Sequence, residues 1–270
     1  MNQADMKLHI LSDVHNEFLG GGRVVLSHPW KAEIPETDAD VIILAGDIDV
    51  GLEGIEWIIE ESERLDKEIV YVLGNHEFYR HEYYSLKEEI AAKAKDANIH
   101  FLDCGILELE NVRILGFTLW TDYLADKSTP QDLAMFYAGK SLADHQLIQI
   151  KSSGNYKRFK PEDALQLHQV EKHWLEEQLK KPFAGKTVVV SHHAPHPVCI
   201  HPDYPNSPIG TAFYSDLEDL IVNYDIELWI YGHTHSNLDA VVYDTRIVSN
   251  QAGYPGEKVK NFDPLFTVDL

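Results

Sequence analysis

The sequence predicts an α/β fold in which two mixed sheets pack together beneath covering helices. Three observations carry this. Strand-length apolar runs alternate with helical patterns in the first hundred residues, a hairpin-like pair of runs occupies the middle, and short strand-like runs separated by loops close the chain.

In chain order, Leu8-His9-Ile10-Leu11 reads as a first strand and Val41-Ile42-Ile43-Leu44-Ala45 as a buried one. Ile55, Ile58, Ile59 and Leu65 fall on one face of a helix. Ile69 to Leu73 follows as a strand, then a helix from about His81 to Ala97. This β-α-β-α order implies parallel strands joined by crossover helices. Ile106–Leu109 and Val112–Leu119 predict a hairpin around Glu110-Asn111, and a polar, less regular segment runs from Thr121 to Lys160. A helix starts near Pro161, with Leu167, Val170, Trp174, Leu175 and Leu179 as its apolar stripe. Strand signals return at Thr187–Val190 and Glu227–Tyr231, and the stretches 238–248 and 265–268 read as antiparallel strands. No linker or internal repeat divides the chain, so one domain over 1–270 is expected, with 121–160 as a cap or insertion on the substrate side.

Composition limits the partners. The chain of 270 residues carries 23 Lys+Arg against 44 Asp+Glu, a formal net charge of -21. Such a surface repels polyanions, so an extended nucleic acid or an anionic membrane is not an expected partner. A small phosphorylated substrate remains compatible, because bound metal ions reverse the local sign inside a cleft. Cys104 and Cys199 form no metal-type spacing and no disulfide framework. The first residues show no signal-peptide pattern and no apolar run is long enough to span a membrane, so the cytosol is the expected location.

The informative feature is where the polar residues fall. Five strand-like runs end in metal-competent groups: Asp13-Val14-His15, Gly46-Asp47, Gly74-Asn75-His76-Glu77, Ser191-His192-His193 and Gly232-His233-Thr234-His235. Ligands of parallel sheets bind beyond the carboxyl ends of the strands, so these tips can converge on one cleft. Each piece alone fits a hydrogen-bonded loop or a turn. Their conjunction, in this order and at strand ends, does not arise readily by chance.

The order D-X-H, G-D, G-N-H-E, H and G-H-X-H resembles the calcineurin-like metallophosphoesterase superfamily, and the tail 248–257 is similar to its bacterial and phage members. The resemblance implies an α/β/β/α sandwich of two mixed sheets. It implies one metal on Asp13, His15 and His235, another on Asn75, His192 and His233, and Asp47 bridging both. It places His76 beside them as proton donor or substrate-steadying group, not as a ligand. Ser191-His192-His193 offers two imidazoles; His192, one spacer after the apolar run, is the expected ligand, with His193 behind it as the competitor.

These residue types suit phosphoester hydrolysis, in which two metals clamp a phosphoryl group and a bridging hydroxide attacks in line. A neutral Asn oxygen adds no negative charge where phosphate must sit. With N and O donors alone, manganese, iron, zinc or cobalt, divalent or of mixed valence, all fit. Gly46-Asp47-Ile48-Asp49-Val50-Gly51-Leu52 lacks the Arg that the superfamily's protein Ser/Thr phosphatases carry after G-D, which argues against that activity. A non-catalytic metal-binding scaffold of the same fold stays open as the alternative. A metallo-β-lactamase-like hydrolase fares worse, because His233-Thr234-His235 does not continue into the H-x-H-x-D-H that it needs. Specificity is expected from Trp120–Tyr123, from 124–160 and from the loop Ala194–Phe213 with Tyr204. His196 and the basic cluster Lys151, Lys157, Arg158 and Lys160 are further candidates for facing substrate.

Overall fold

The computed structural model of the chain describes residues 6–19, 28–95, 97, 99–152 and 154–270. Met1–Asp5, part of the stretch read for a signal peptide, lies outside them.

The period-two alternation of the apolar runs explains the layering, because successive side chains leave a strand on opposite faces. In the first sheet, β1 (Lys7–Leu11), β2 (Val41–Leu44), β3 (Glu68–Tyr71) and β4 (Ile99–Phe101) run parallel. The C-terminal strand Thr267–Asp269 joins its edge antiparallel to β1. The second sheet begins with the hairpin β5 (Gly105–Leu109) and β6 (Val112–Phe117), paired across the expected Glu110-Asn111 turn. Alongside β6 lie β9 (Lys186–Ser191) and β10 (Leu228–Ile230), both parallel, then β12 (Thr245–Val248) and antiparallel β11 (Asp239–Val242).

Leu8, Ile10, Ile43, Val70 and Val72 from the first sheet meet Ile114, Val188, Val190 and Ile230 from the second in one buried cluster, so the sheets pack face to face. The opposite face of the first sheet, with Ile42, Leu44 and Tyr71, takes α1 (Leu52–Leu65) and α2 (Tyr83–Ala94) through Ile55, Ile58, Leu86 and Ile90. The opposite face of the second sheet, with Phe117, Val189 and Trp229, takes α5 (Pro161–Leu179) and α6 (Glu218–Asn223) through Leu175, Leu220 and Ile221. Each such aliphatic side chain contributes about 1.5–3 kcal/mol on burial. The result is the expected α/β/β/α order of layers. No helix among the described residues is long and apolar enough to cross a membrane.

Two expectations need correction. The segment from Thr121 to Lys160 is not irregular: it holds α3 (Gln131–Ser141), α4 (Asp144–Leu147) and a hairpin of β7 (Gln149–Ser152) and β8 (Asn155–Arg158). Its anchors are small or isolated, with Ala134 and Ala138 buried on α3 and Ile148, Ile150 and Phe159 in the core, so no apolar stripe announces it. On α5, Val170 is exposed and the buried face instead runs through His168 and Glu171 to Leu175. His168 Nδ1 lies 2.9 Å from the Leu119 carbonyl, which lets a polar side chain occupy an interior position.

Candidate metal centre

The tips of β1, β2 and β3 in one sheet and of β9 and β10 in the other point to the same end of the sandwich, and the chain turns sharply after each. Asp13, His15, Asp47, His233 and His235 all adopt left-handed backbone, with φ of 51°, 48°, 54°, 71° and 49°. For residues with a Cβ this costs about 1–3 kcal/mol each, and strain of that kind concentrates where a side chain must be aimed. The glycines preceding two of the donors are needed for close approach. A Cβ on Gly74 would collide with Asp47, and one on Gly46, itself at φ 88°, would meet His192 Nδ1 at 2.5 Å.

Asp13, His15 and His235 converge as one group, and Asp47, His192 and His233 as another. His15 Nε2 and His235 Nε2 stand 3.1 Å apart, with Asp13 Oδ1 3.4 Å from the latter. His192 Nε2 is 3.1 Å from Asn75 Oδ1 and 3.2 Å from His233 Nδ1. Asp47 lies between the groups: Oδ1 is 3.4 Å from His192 Nε2 and Oδ2 is 3.8 Å from His15 Nε2. Of the two imidazoles after β9, His192 enters the cluster. His193 turns away, its Nδ1 3.3 Å from the Thr118 carbonyl and its ring packed on His233.

Partners behind these side chains fix which atom faces inward. The Ala45 carbonyl lies 2.9 Å from His192 Nδ1, Glu17 Oε1 lies 3.1 Å from His15 Nδ1, and Glu257 Oε2 lies 2.6 Å from His235 Nδ1. The Asn75 amide donates to Asp144 Oδ1 at 2.8 Å, which turns its Oδ1 toward His192. Glu77, fully buried, accepts from the backbone N–H groups of Asp47, Ile48 and Gly74 and so ties the tip of β2 to that of β3. Carboxylate and carbonyl partners behind a histidine are the usual means of orienting a metal ligand.

His76 sits at the edge of the cluster, its Nε2 4.0 Å from Asp47 Oδ2. Its Nδ1 is 2.8 Å from Glu17 Oε1 and its Nε2 3.0 Å from the Tyr254 hydroxyl. The Tyr254 ring also packs on His15 and His235 at 4.4 and 4.6 Å.

The electrostatics test whether these residues suit cations. Burial disfavours charged imidazoles, yet the Asp47 carboxylate holds His192 up to about 9, and Asp13 with Glu257 holds His235 up to about 10. His15 and His233 are pushed down, chiefly by burial. Asp47 itself is held well below the usual carboxylate range: burial alone would raise it, and the imidazoles of His192, His76 and His15 overcome that. With Nδ1 of both His15 and His235 facing carboxylates, the two Nε2 atoms aim lone pairs at one another unless a proton or a metal ion lies between them. His233 Nε2 is buried with no hydrogen-bond partner. Nitrogen and oxygen donors crowded this closely, with two carboxylates among them, fit divalent cations.

Above the cluster opens a cavity of about 670 Å³. Its walls include Ser141–Asp144, where α3 gives way to α4, and side chains from the stretch between Ile200 and Tyr214, with Tyr204 among them. Trp120 and Tyr123 are buried in the core and do not line it, nor do Lys151, Lys157, Arg158 and Lys160, which lie on or next to the outlying hairpin. His201 lines the cavity and His196 does not. Glu17, Asp144, Tyr254 and Glu257 also take part in the cluster, though the motifs do not single them out. Glu17 lies two residues beyond the D-X-H, and Tyr254 and Glu257 fall in the tail 248–257.

Comparison with known proteins agrees with this architecture. A family model described as calcineurin-like phosphoesterase matches residues 6–237. The uncharacterised protein L509 of Acanthamoeba polyphaga mimivirus is 27% identical over 279 residues, covering 97% of this chain and 96% of its own. The structure of phosphopantetheinyl hydrolase from Mycobacterium tuberculosis superposes with a TM-score of 0.74 at 19% identity, covering 99% of this chain and 96% of that one. A putative 5′-nucleotidase from Staphylococcus aureus gives a TM-score of 0.51 at 15% identity, over 93% of this chain and 49% of its own. From strand-tip donors to family match, the chain belongs to the calcineurin-like phosphoesterases.

Proposed function

We propose that this chain is a dinuclear metal-dependent phosphoesterase that hydrolyses a small phosphomonoester or phosphodiester. The observation that carries the reading is the position of Asp47, one carboxylate whose two oxygens face separate donor sets at 3.4 and 3.8 Å. Asp13, His15 and His235 would hold one cation, Asn75, His192 and His233 the other, and Asp47 both. When bound, such a pair neutralises the phosphoryl oxygens and makes water acidic enough to attack phosphorus near neutral pH.

The chain's own groups supply the rest. His76, gripped at Nδ1 by Glu17, presents Nε2 toward the cavity, where an imidazole N–H can protonate the departing alkoxide. The P–O bond to the leaving group breaks, and the proton on Nε2 passes to that oxygen. Tyr254, in contact with the same nitrogen, would have to yield this position or share it with the substrate. Asp144 keeps the Asn75 amide from turning over, so an uncharged oxygen is offered inward.

The test is metal analysis of the purified protein combined with manganese-supplemented assays on mono- and bis-(4-nitrophenyl) phosphate. Two metal equivalents with phosphoester turnover are expected. Metal retention without turnover across a broad ester panel would turn the reading to a binding scaffold.

A further inference from the structure

The cavity is much larger than a phosphate needs, and its far walls differ in chemistry from its floor. About 670 Å³ lies within the range of clefts that take a drug-sized organic ligand. Beyond the candidate ligands, its apolar surface comes from Leu142, Ile200, Ile209, Phe213 and Val259, with tyrosines beside them. The Phe213 ring stacks on His233, centroids 4.7 Å apart and planes 23° apart, so apolar surface begins directly at the reacting end.

Charge completes the picture. Lys258 is the one Lys or Arg among the described residues that line the cavity, while Asp144, Asp203 and Glu257 line it as well. Asp144 accepts from the neutral Asn75 amide and Tyr79 hydroxyl, so its carboxylate still adds to the repulsion of an anion, while Glu257 is paired with His235. The chain as a whole carries a net charge of -21. Metal ions would neutralise one phosphoryl group. A second anionic group on the substrate would find a single ammonium group, Lys258, beside polar side chains such as His201 and Ser207, and would lose hydration against the aliphatic and aromatic walls. An uncharged apolar or aromatic group would gain by leaving water there.

Building on the phosphoesterase reading, we propose that the cavity selects phosphoesters whose leaving group is uncharged and largely apolar or aromatic, and discriminates against esters bearing a second anionic group, such as nucleoside polyphosphates. The walls that do this come from three separate stretches: the α3–α4 junction, the loop after β9 and the segment around Val259. Leu142 and Ile209 are then specificity-determining residues of the site.

A matched series on the unaltered, metal-loaded protein decides the matter: phenyl, biphenyl-4-yl and 4-carboxyphenyl phosphate, whose leaving groups differ little in acidity. Relative to phenyl phosphate, kcat/KM is expected to rise about tenfold for the biphenyl ester and to fall about tenfold for the carboxylate. Calorimetric binding of the corresponding biphenyl- and carboxyphenylphosphonates is expected to follow the same order, a readout that does not depend on turnover. Ile209→Lys is expected to bring the biphenyl-to-carboxyphenyl ratio down to about one. A flat series, or preference for the carboxylate in kinetics and binding alike, overturns the substrate class while leaving the phosphoesterase reading intact. Absence of turnover for all three esters and for both mono- and bis-(4-nitrophenyl) phosphate overturns both.

Discussion

Glu17 grips His76 through Oε1, 2.8 Å from Nδ1, and the same oxygen reaches His15 Nδ1 at 3.1 Å. One carboxylate thus orients a candidate metal ligand and the candidate acid together. Glu17→Gln keeps the shape and removes the charge. The expected result is a roughly 10–100-fold loss in kcat, with weaker metal retention at the site containing His15. Steady-state kinetics beside metal stoichiometry checks it, and an unaltered kcat would free His76 from any dependence on Glu17.

His76 itself touches no cation in the proposed arrangement. His76→Ala should therefore retain both metals and lose about 10²–10⁴-fold in kcat. Elemental analysis of the variant and turnover of a 4-nitrophenyl ester separate the two effects. Metal-loaded protein with normal turnover would remove His76 from the chemistry.

Loading should release protons. Without metal, His192 and His235 sit at about 9 and about 10, above the ordinary histidine value, because carboxylates beside them favour the charged ring despite burial. Their pairing stabilises the metal-free fold fully below the ordinary histidine pKa near 6.5, and the stabilisation fades as pH rises through 9 to 10. A cation needs neutral imidazoles, so affinity climbs with pH until those values are passed. Calorimetric titration at pH 7 in buffers of different ionisation enthalpy should register proton release on manganese binding. Heats independent of the buffer would contradict the donor assignment.

Glu171 offers a separate pH test, away from the metal centre. Burial between α5 and its neighbours pushes its carboxyl up to about 8, only partly opposed by Lys87. An acid raised in this way favours the fold most below its ordinary pKa near 4.5 and loses that advantage as pH climbs toward 8. Glu171→Gln mimics the neutral form. Its stability relative to the parent should improve from pH 5 to pH 8, by on the order of a few kcal/mol at most. Urea midpoints at both pH values measure this, and parallel slopes for the two proteins would refute it.

The strand tips were readable because their signal is local: an apolar run ends and a donor follows within a few residues, as at Leu44-Ala45-Gly46-Asp47. The layers were readable for a similar reason, since alternation within each strand assigns its two faces. What escaped was contact between distant parts of the chain. Asp144 orients Asn75 from 69 residues away, and the Tyr254 hydroxyl meets His76 across 178. Neither contact has a period to mark it, and the tail motif around Tyr254 does not say which distant residue it meets. The order within 121–160 escaped because α3 packs through alanines, which look the same in a helix interior and on a surface. Choosing His192 over His193 rested on a single spacer residue, and the structure separates them by which carbonyl holds each ring.

Candidate donors reach the proposed centre from both sheets: Asp13, His15, Asp47 and Asn75 from one, His192, His233 and His235 from the other. Bound cations would therefore act as a clasp across the sandwich, closed only while its halves are docked. Chelation should loosen the whole molecule and lower its melting temperature, since whatever binds only the folded state holds it there. The same division places the last candidate donor late in the chain. A growing chain cannot complete the proposed centre until His235 has emerged.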